Sequence, residues 1–122
     1  MSDAADLATV AADAADGKGG TDIVILDVAS VLGICDLFVL VTAGNDRQVK
    51  AIVDATEAAV ADRLERRPIA VEGADARRWV LVDYGDVVIH VFQSEERAMY
   101  RLERLYGDAP RVPWTPTVPE PR

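Results

Sequence analysis

The chain has 122 residues, half of them hydrophobic, which fits one compact domain and is too short for two of ordinary size. Its 13 basic and 21 acidic residues give a net charge of −8, which opposes non-specific binding to phosphate backbones and favours a basic partner. A single cysteine, Cys35, excludes an internal disulfide and a cysteine-rich zinc site.

The charge pattern also bears on where the chain is expected to act. Its uncharged stretches are far shorter than the roughly 20 apolar residues that a membrane-spanning helix requires. Residues 2–16 carry four aspartates and no basic residue, which is not the pattern of a secretory signal. We therefore expect a cytoplasmic protein that does not bind membranes.

The first predicted elements are a helix and two strands. Leu7, Val10, Ala11 and Ala14 recur at helical spacing, and the glycines between residues 17 and 20 end that helix. Residues 23–28 and 37–43 are β-rich runs that are apolar at nearly every position. Such continuous apolar runs predict strands that are covered on both faces of a sheet.

A long second helix is predicted to begin after Gly44. Asn45 can cap it, and Gln48 stands three positions later, as in a capping box. Pro68 ends the helix. A short strand at 69–71 follows, and strands 79–84 and 86–92 form a hairpin around Gly85. Ser94 is predicted to cap a last helix.

The element order α-β-β-α-β-β-β-α predicts an α/β fold, with a single mixed sheet of about five strands flanked by helices. The β-α-β unit from residue 37 to 71 favours parallel strands joined by a right-handed crossover. The domain is expected to span residues 1–109. Residues 110–122 hold five of the six prolines and are predicted to be a proline-rich C-terminal tail, in which Trp114 can fold back onto the domain.

Motifs for catalysis are missing from the sequence. It has no phosphate-binding loop, no dinucleotide-binding glycine motif, no G-x-S-x-G and no H-E-x-x-H. His90 is the only histidine, and Asp83 and Asp86 flank Gly85 as ordinary turn residues do. Asp36 should raise the pKa of the neighbouring Cys35 thiol, which makes it a poor nucleophile. We therefore predict no catalytic residue, no metal site and no cofactor.

The stretch from residue 78 to 84, R-W-V-L-V-D-Y, has the composition of an interface anchor, with large aromatics beside an arginine and an aspartate. Strand alternation places Trp79, Leu81 and Asp83 on one face. Val80, Val82 and Tyr84 share the other face. The spacing alone is equally compatible with a Trp79 side chain that fills the core under the last helix.

Four stretches together resemble the ribosomal silencing factor family, also called the Iojap-related proteins. They are 36–39 (D-L-F-V), 45–52 (N-D-R-Q-V-K-A-I), 72–73 with 79–92, and 100–110 (Y-R-L-E-R-L-Y-G-D-A-P). The third contains the specific block W-x-L-x-D-x-G-D-x-x-x-H. The resemblance runs from about residue 7 to 113. It departs from the family pattern at Tyr106, where tryptophan is frequent, and at Leu37, where an aromatic is common.

The resemblance implies a mixed α/β fold with nucleotidyltransferase-like topology and no known enzymatic activity. It also implies a homodimer when free, and binding to the large ribosomal subunit through that subunit's fourteenth protein, with no specific binding to DNA. Such binding would sterically block joining of the small subunit and repress translation under nutrient limitation. The alternative is a nucleotidyltransferase-like, metal-dependent enzyme, since Asp83 and Asp86 offer two carboxylates for Mg²⁺.

A partner-binding surface is predicted from the resemblance and the composition of the hairpin. Its residues are Trp79, Leu81, Asp83, Tyr84, Asp86, His90, Arg97 and Tyr100. Trp79 would be the apolar anchor, and Leu81 would help to exclude water. Asp83 and Asp86 would pair with arginine or lysine side chains of the partner.

Overall fold

The computed structural model describes residues 3–29, 33, 35–100 and 109–116. Three helices lie in these residues: α1 (Asp3–Gly17), α2 (Asp46–Leu64) and α3 (Ser94–Tyr100). The strands are β1 (Thr21–Asp27), β2 (Leu37–Ala43), β3 (Ala70–Glu72), β4 (Trp79–Asp83), β5 (Val87–Gln93) and β6 (Arg111–Val112). None of these helices is both long enough and apolar enough to span a membrane.

All described strands belong to one mixed sheet in the order β3-β4-β5-β2-β1-β6. The central pair β2 and β5 is parallel, and the other neighbouring pairs are antiparallel. These pairings make β3 run in the same direction as β2, as predicted for the β-α-β unit, although β4 and β5 lie between them. The predicted α/β fold with a mixed sheet is confirmed.

Strand β2 is buried at every residue, as its unbroken apolar sequence predicts. One face of the sheet packs against α1 and α2 in a core that includes Val39 and Val41 of β2. The opposite face carries a second apolar cluster that includes Phe38 and Leu40. Alternate residues of one strand therefore supply two separate cores.

The sheet has one strand more than the sequence predicts. Ile25 and Leu26 of β1 pair with Val112 and Arg111 of β6, and the Asp27 N–H donates to the Pro110 carbonyl at 2.8 Å. Because β6 has only two residues and a proline on each side, its sequence shows no strand pattern. At the edge of a sheet these prolines are tolerated, since a residue there need not donate a hydrogen bond to a further strand. Residues 117–122 of the predicted tail lie outside the described residues.

The start of α2 confirms the predicted cap and shows a variant of the capping box. Asn45 Oδ1 accepts the Gln48 N–H at 2.8 Å. The Gln48 side chain accepts from the Gly44 N–H, one residue before the cap. Its amide also donates to the Lys18 and Gly19 carbonyls at 3.2 and 3.1 Å. One side chain thus ties the turn after α1 to the start of α2.

The loop between β3 and β4 fixes the backbone from which β4 starts. Gly73 has φ +84°, and a Cβ at this position would overlap the carbonyl oxygen of Trp79. We expect Gly73→Ala to lower the free energy of unfolding by about 2 kcal/mol or more, because the left-handed backbone and the overlap both penalise a side chain. Denaturant unfolding followed by circular dichroism measures the change.

Gly17→Ala is the matched control, since an added Cβ there meets no atom within 4 Å. It should change the same free energy by no more than about 0.5 kcal/mol. Equal stability of the Gly73→Ala and Gly17→Ala variants would contradict the close approach of the loop to β4.

Candidate partner-binding surface

The sheet face opposite α1 and α2 combines a buried centre with a partly exposed margin. Phe38, Leu40 and Phe92 are buried in the second apolar cluster, and Trp79 and Val88 pack half-buried at its margin. We call Trp79, Leu81 and Asp83 of β4, with Val88 and His90 of β5, the Trp79 face. In the antiparallel pairing Leu81 lies opposite His90 and Asp83 lies opposite Val88, so these side chains share one side of the sheet.

Trp79 and His90 form a hydrogen-bonded aromatic pair at the centre of the Trp79 face. The indole N–H donates to His90 Nδ1 at 3.2 Å. The Trp79 ring also lies 5.5 Å from the Phe92 ring, centroid to centroid. Burial lowers the pKa of His90 to about 3, so the imidazole is neutral and its Nδ1 is free to accept. Trp79 therefore belongs to the second core and also reaches the surface.

Tyr84 does not belong to this face, and its predicted place on the surface is wrong. Its side chain is only 2% exposed and packs in the core under α1 and α2 with Val80 and Val82. The guanidinium of Arg66 lies 5.8 Å from the centre of its ring. Burial raises the pKa of Tyr84 to about 12, so the phenol stays protonated. Strand alternation had already placed Tyr84 on the side away from Trp79.

Asp86 has an internal partner that the sequence did not reveal. Arg66 donates to both carboxylate oxygens, at 2.8 and 3.1 Å, and to the Tyr84 carbonyl at 2.9 Å. These hydrogen bonds hold the pKa of Asp86 below its ordinary value. Asp83 accepts the Gly85 N–H at 2.7 Å and so closes the turn. Arg66 therefore already offsets the charge of that carboxylate, and the ion pair of Asp86 with a partner stays a prediction.

Arg97 is likewise an internal residue, and the prediction that it lies on the surface is corrected. It is 8% exposed and donates to Thr42 Oγ1 at 2.8 Å and to the Asp22 carbonyl. Its guanidinium also lies 5.6 Å from the centre of the Phe92 ring. These contacts fasten α3 to the sheet. Tyr100 is the last residue of α3, and its side chain lies outside the described residues.

A second set of contacts holds α3 beside the Trp79 face. Arg78 donates to Glu96 at 2.6 Å and to Glu95 at 3.2 Å, and these two carboxylates stand in the first turn of α3. Because Arg78 directly precedes Trp79, the pairs join the start of β4 to the start of α3. The sequence offered no specific signal for this pairing, since the partners are 17 and 18 positions apart.

The geometry gives no support to the metal-dependent alternative. Within the part of the chain that the structure describes, no three histidine, cysteine, aspartate or glutamate residues are grouped to hold a metal ion. Asp86 is paired with Arg66, and His90 accepts from Trp79. Cys35 lies at the margin of the second cluster, where burial and Asp36 raise the pKa of its thiol to about 11. That thiol is protonated and a weak nucleophile.

Known proteins resemble the chain over nearly its whole length. A family model described as "Ribosomal silencing factor during starvation" matches residues 1–122. A ribosomal silencing factor from Bacillus subtilis is 45% identical over 104 residues, which cover 83% of this chain and 85% of the relative. A crystal structure of a Chromobacterium violaceum protein shares the fold with a TM-score of 0.82 and 28% identity, covering 97% of this chain and 95% of that one.

A mouse relative carries a name that mentions the ribosome. "Mitochondrial assembly of ribosomal large subunit protein 1" is 32% identical over 92 residues. The matched region covers 73% of this chain and 40% of the mouse protein. The chain thus spans less than half of that relative.

The Arg66–Asp86 pair should contribute stability that depends on pH. Because the folded pKa of Asp86 lies below its ordinary value, the contribution is present above about pH 4 and is lost as the pH falls through the folded pKa. We expect Arg66→Met to lower the free energy of unfolding by about 1 kcal/mol at neutral pH. The difference in the free energy of unfolding between wild type and Arg66→Met should shrink in denaturant titrations at progressively lower pH.

Lys50→Met is the control, because Lys50 and Asp54 form an exposed pair one helical turn apart. Lys50→Met should lower the free energy of unfolding by no more than about 0.5 kcal/mol at neutral pH. A deficit for Arg66→Met that stays constant down to about pH 2 would show that the carboxylate of Asp86 is not the partner that matters.

Proposed function

The chain belongs to the ribosomal silencing factor family, and from that premise we propose that it binds the large ribosomal subunit and sterically blocks joining of the small subunit. The proposed contact is the subunit's fourteenth protein, and the proposed outcome is repression of translation in the cytoplasm under nutrient limitation. One observation supports the placement of the contact. Trp79, Leu81 and Val88 form a partly exposed apolar strip on the sheet face that α1 and α2 leave uncovered.

Charge complementarity supports a protein contact on the ribosome. A net charge of −8 attracts a basic ribosomal protein and repels ribosomal RNA phosphates. The name of the mouse relative mentions assembly of a ribosomal large subunit, and the Bacillus subtilis relative is named a ribosomal silencing factor. As part of the proposal, we extend the association with the large subunit and the silencing of ribosomes from these relatives to this chain.

The residues of the predicted surface divide into two proposed roles. Trp79 is the anchor, Leu81 shields it from water, and Asp83 supplies the carboxylate at the margin. Tyr84, Asp86 and Arg97 act from inside the fold by holding β4, the hairpin turn and α3 in place. His90 is 5% exposed, so its predicted place on the surface is also corrected, and it contacts Trp79 from inside. Tyr100 stays a predicted contact next to this surface.

The proposed mechanism needs only occupancy and no chemical step. A bound chain of 13.2 kDa excludes the small subunit wherever the two would overlap. Repression then follows the fraction of large subunits that are occupied, so it depends on the concentration of the chain and on its affinity. We also propose that the free chain is a homodimer, and sedimentation velocity of the chain alone distinguishes twice this mass from a monomer.

Truncation of the anchor tests the proposal most simply. We expect Trp79→Ala to weaken binding to purified large subunits at least about 30-fold, because loss of a central anchor costs about 2 kcal/mol or more. Co-sedimentation through sucrose, with and without added small subunits, measures both binding and the block of subunit joining. Circular dichroism establishes that the variant is folded.

Trp114→Ala is the matched control, because Trp114 is the only other tryptophan and packs elsewhere. It lies against the core under α1 and α2, and its indole N–H donates to Asp13 of α1 at 3.0 Å. Its affinity for the large subunit should stay within about threefold of wild type. Wild-type binding by folded Trp79→Ala would refute the placement of the contact, and a wild-type chain that never co-sediments would refute the function.

A further inference from the structure

We propose that His90 is a positioning residue for the partner-binding surface: it fixes the indole of Trp79 and engages its N–H, so that the partner meets ring carbons rather than a hydrogen-bond donor. The effect on binding rests on the proposed function. The effect on Trp79 itself does not, because it concerns a contact within the chain.

His90 is held rigidly from several sides. It lies on β5, opposite Leu81 on one neighbouring strand and Leu40 on the other, and is 5% exposed. The Phe38 ring packs edge-on against it, with centroids 4.4 Å apart. Side chains packed this closely in a sheet keep one rotamer. The Nδ1 atom of His90 therefore has a fixed position, and a hydrogen bond to it can fix the orientation of the Trp79 indole.

The second ring nitrogen of His90, Nε2, indicates why this position holds a histidine rather than an apolar residue. Because Nδ1 accepts from Trp79, the proton of the neutral ring is on Nε2. This Nε2 is buried without a hydrogen-bond partner among the described residues. An unpaired buried donor is destabilising, whereas a phenylalanine would fill the same apolar site without that penalty. Stability alone therefore does not account for an imidazole here, but its hydrogen bond to Trp79 does.

The hydrogen bond restricts what a partner can use on Trp79. An indole has one N–H, and here it donates to His90 within the chain. The Phe92 ring also packs against the indole in a tilted contact, with centroids 5.5 Å apart. The exposed part of Trp79 thus favours an aliphatic side chain or a cation over the ring, and a basic ribosomal protein supplies both. A fixed ring also loses less conformational entropy on binding.

The experiment uses the full chain carrying Trp114→Phe, so that Trp79 provides the only indole signal. His90→Phe removes the acceptor but keeps a ring, and His90→Asn keeps an acceptor but fills less space. Three quantities are measured: the thermal unfolding midpoint, the hydrogen exchange rate of the Trp79 indole N–H by NMR, and the affinity for purified large subunits.

The proposal predicts opposite rankings for stability and binding. His90→Phe should unfold at a temperature close to that of its parent, because it removes the unpaired Nε2–H but also removes the acceptor of the Trp79 N–H. Its indole N–H should nevertheless exchange about 10-fold faster, and its affinity should fall about 10-fold. His90→Asn should unfold at a lower temperature but keep slower exchange and tighter binding than His90→Phe. Neither ranking is expected if His90 merely fills the core.

Two results would overturn the positioning role. One is unchanged indole exchange and affinity in His90→Phe, and the other is affinity that follows the unfolding temperature across the three proteins. If His90→Phe does not fold, the exchange rate in His90→Asn decides, since it should remain within about threefold of its parent. If the parent itself does not bind large subunits, the proposed function fails, while the exchange rates still decide the role of His90.

Discussion

The burial of β2 on both faces is the constraint on which the rest of this fold depends. All seven residues of the strand are buried, and an apolar strand at the centre of a sheet requires a cover on each side. Helices α1 and α2 provide one cover over Val39 and Val41. On the other face Phe38 and Leu40 pack with Phe92, with Val28 and Ala109 from outside the strands, and with Arg97 of α3 over the Phe92 ring.

The packing on the second face explains how a core and the proposed binding surface can share residues. Its centre is buried, but Trp79 and Val88 at its margin are partly exposed. Short helix α3 is fastened to this side by Arg97 and by the ion pairs of Arg78. Because Trp79 is packed against this cluster, its side chain is already oriented before a partner binds, which lowers the conformational entropy lost on binding. The packing that makes the fold rigid is therefore also the source of the proposed affinity for a partner.

The sequence predicted those features that depend on local pattern. The apolar runs located β1 and β2, the hairpin pattern located β4 and β5, Asn45 located the start of α2, and alternation separated Trp79 from its buried neighbours. Features set by long-range pairing were missed, since Arg66 and Asp86 are 20 positions apart and neither position signals the other. Arg97 shows the same limit: a charged residue on a short helix usually faces solvent, and only the fold reveals its buried acceptors.

Site-specific photo-cross-linking on the ribosome tests the central claim most directly. A photoreactive phenylalanine analogue at position 81 lies on the Trp79 face, and one at position 58 lies on the exposed side of α2. The account predicts that irradiated complexes with large subunits give an adduct between position 81 and the fourteenth protein, and none from position 58. An adduct from position 58 alone would place the contact on the helical side and contradict the account.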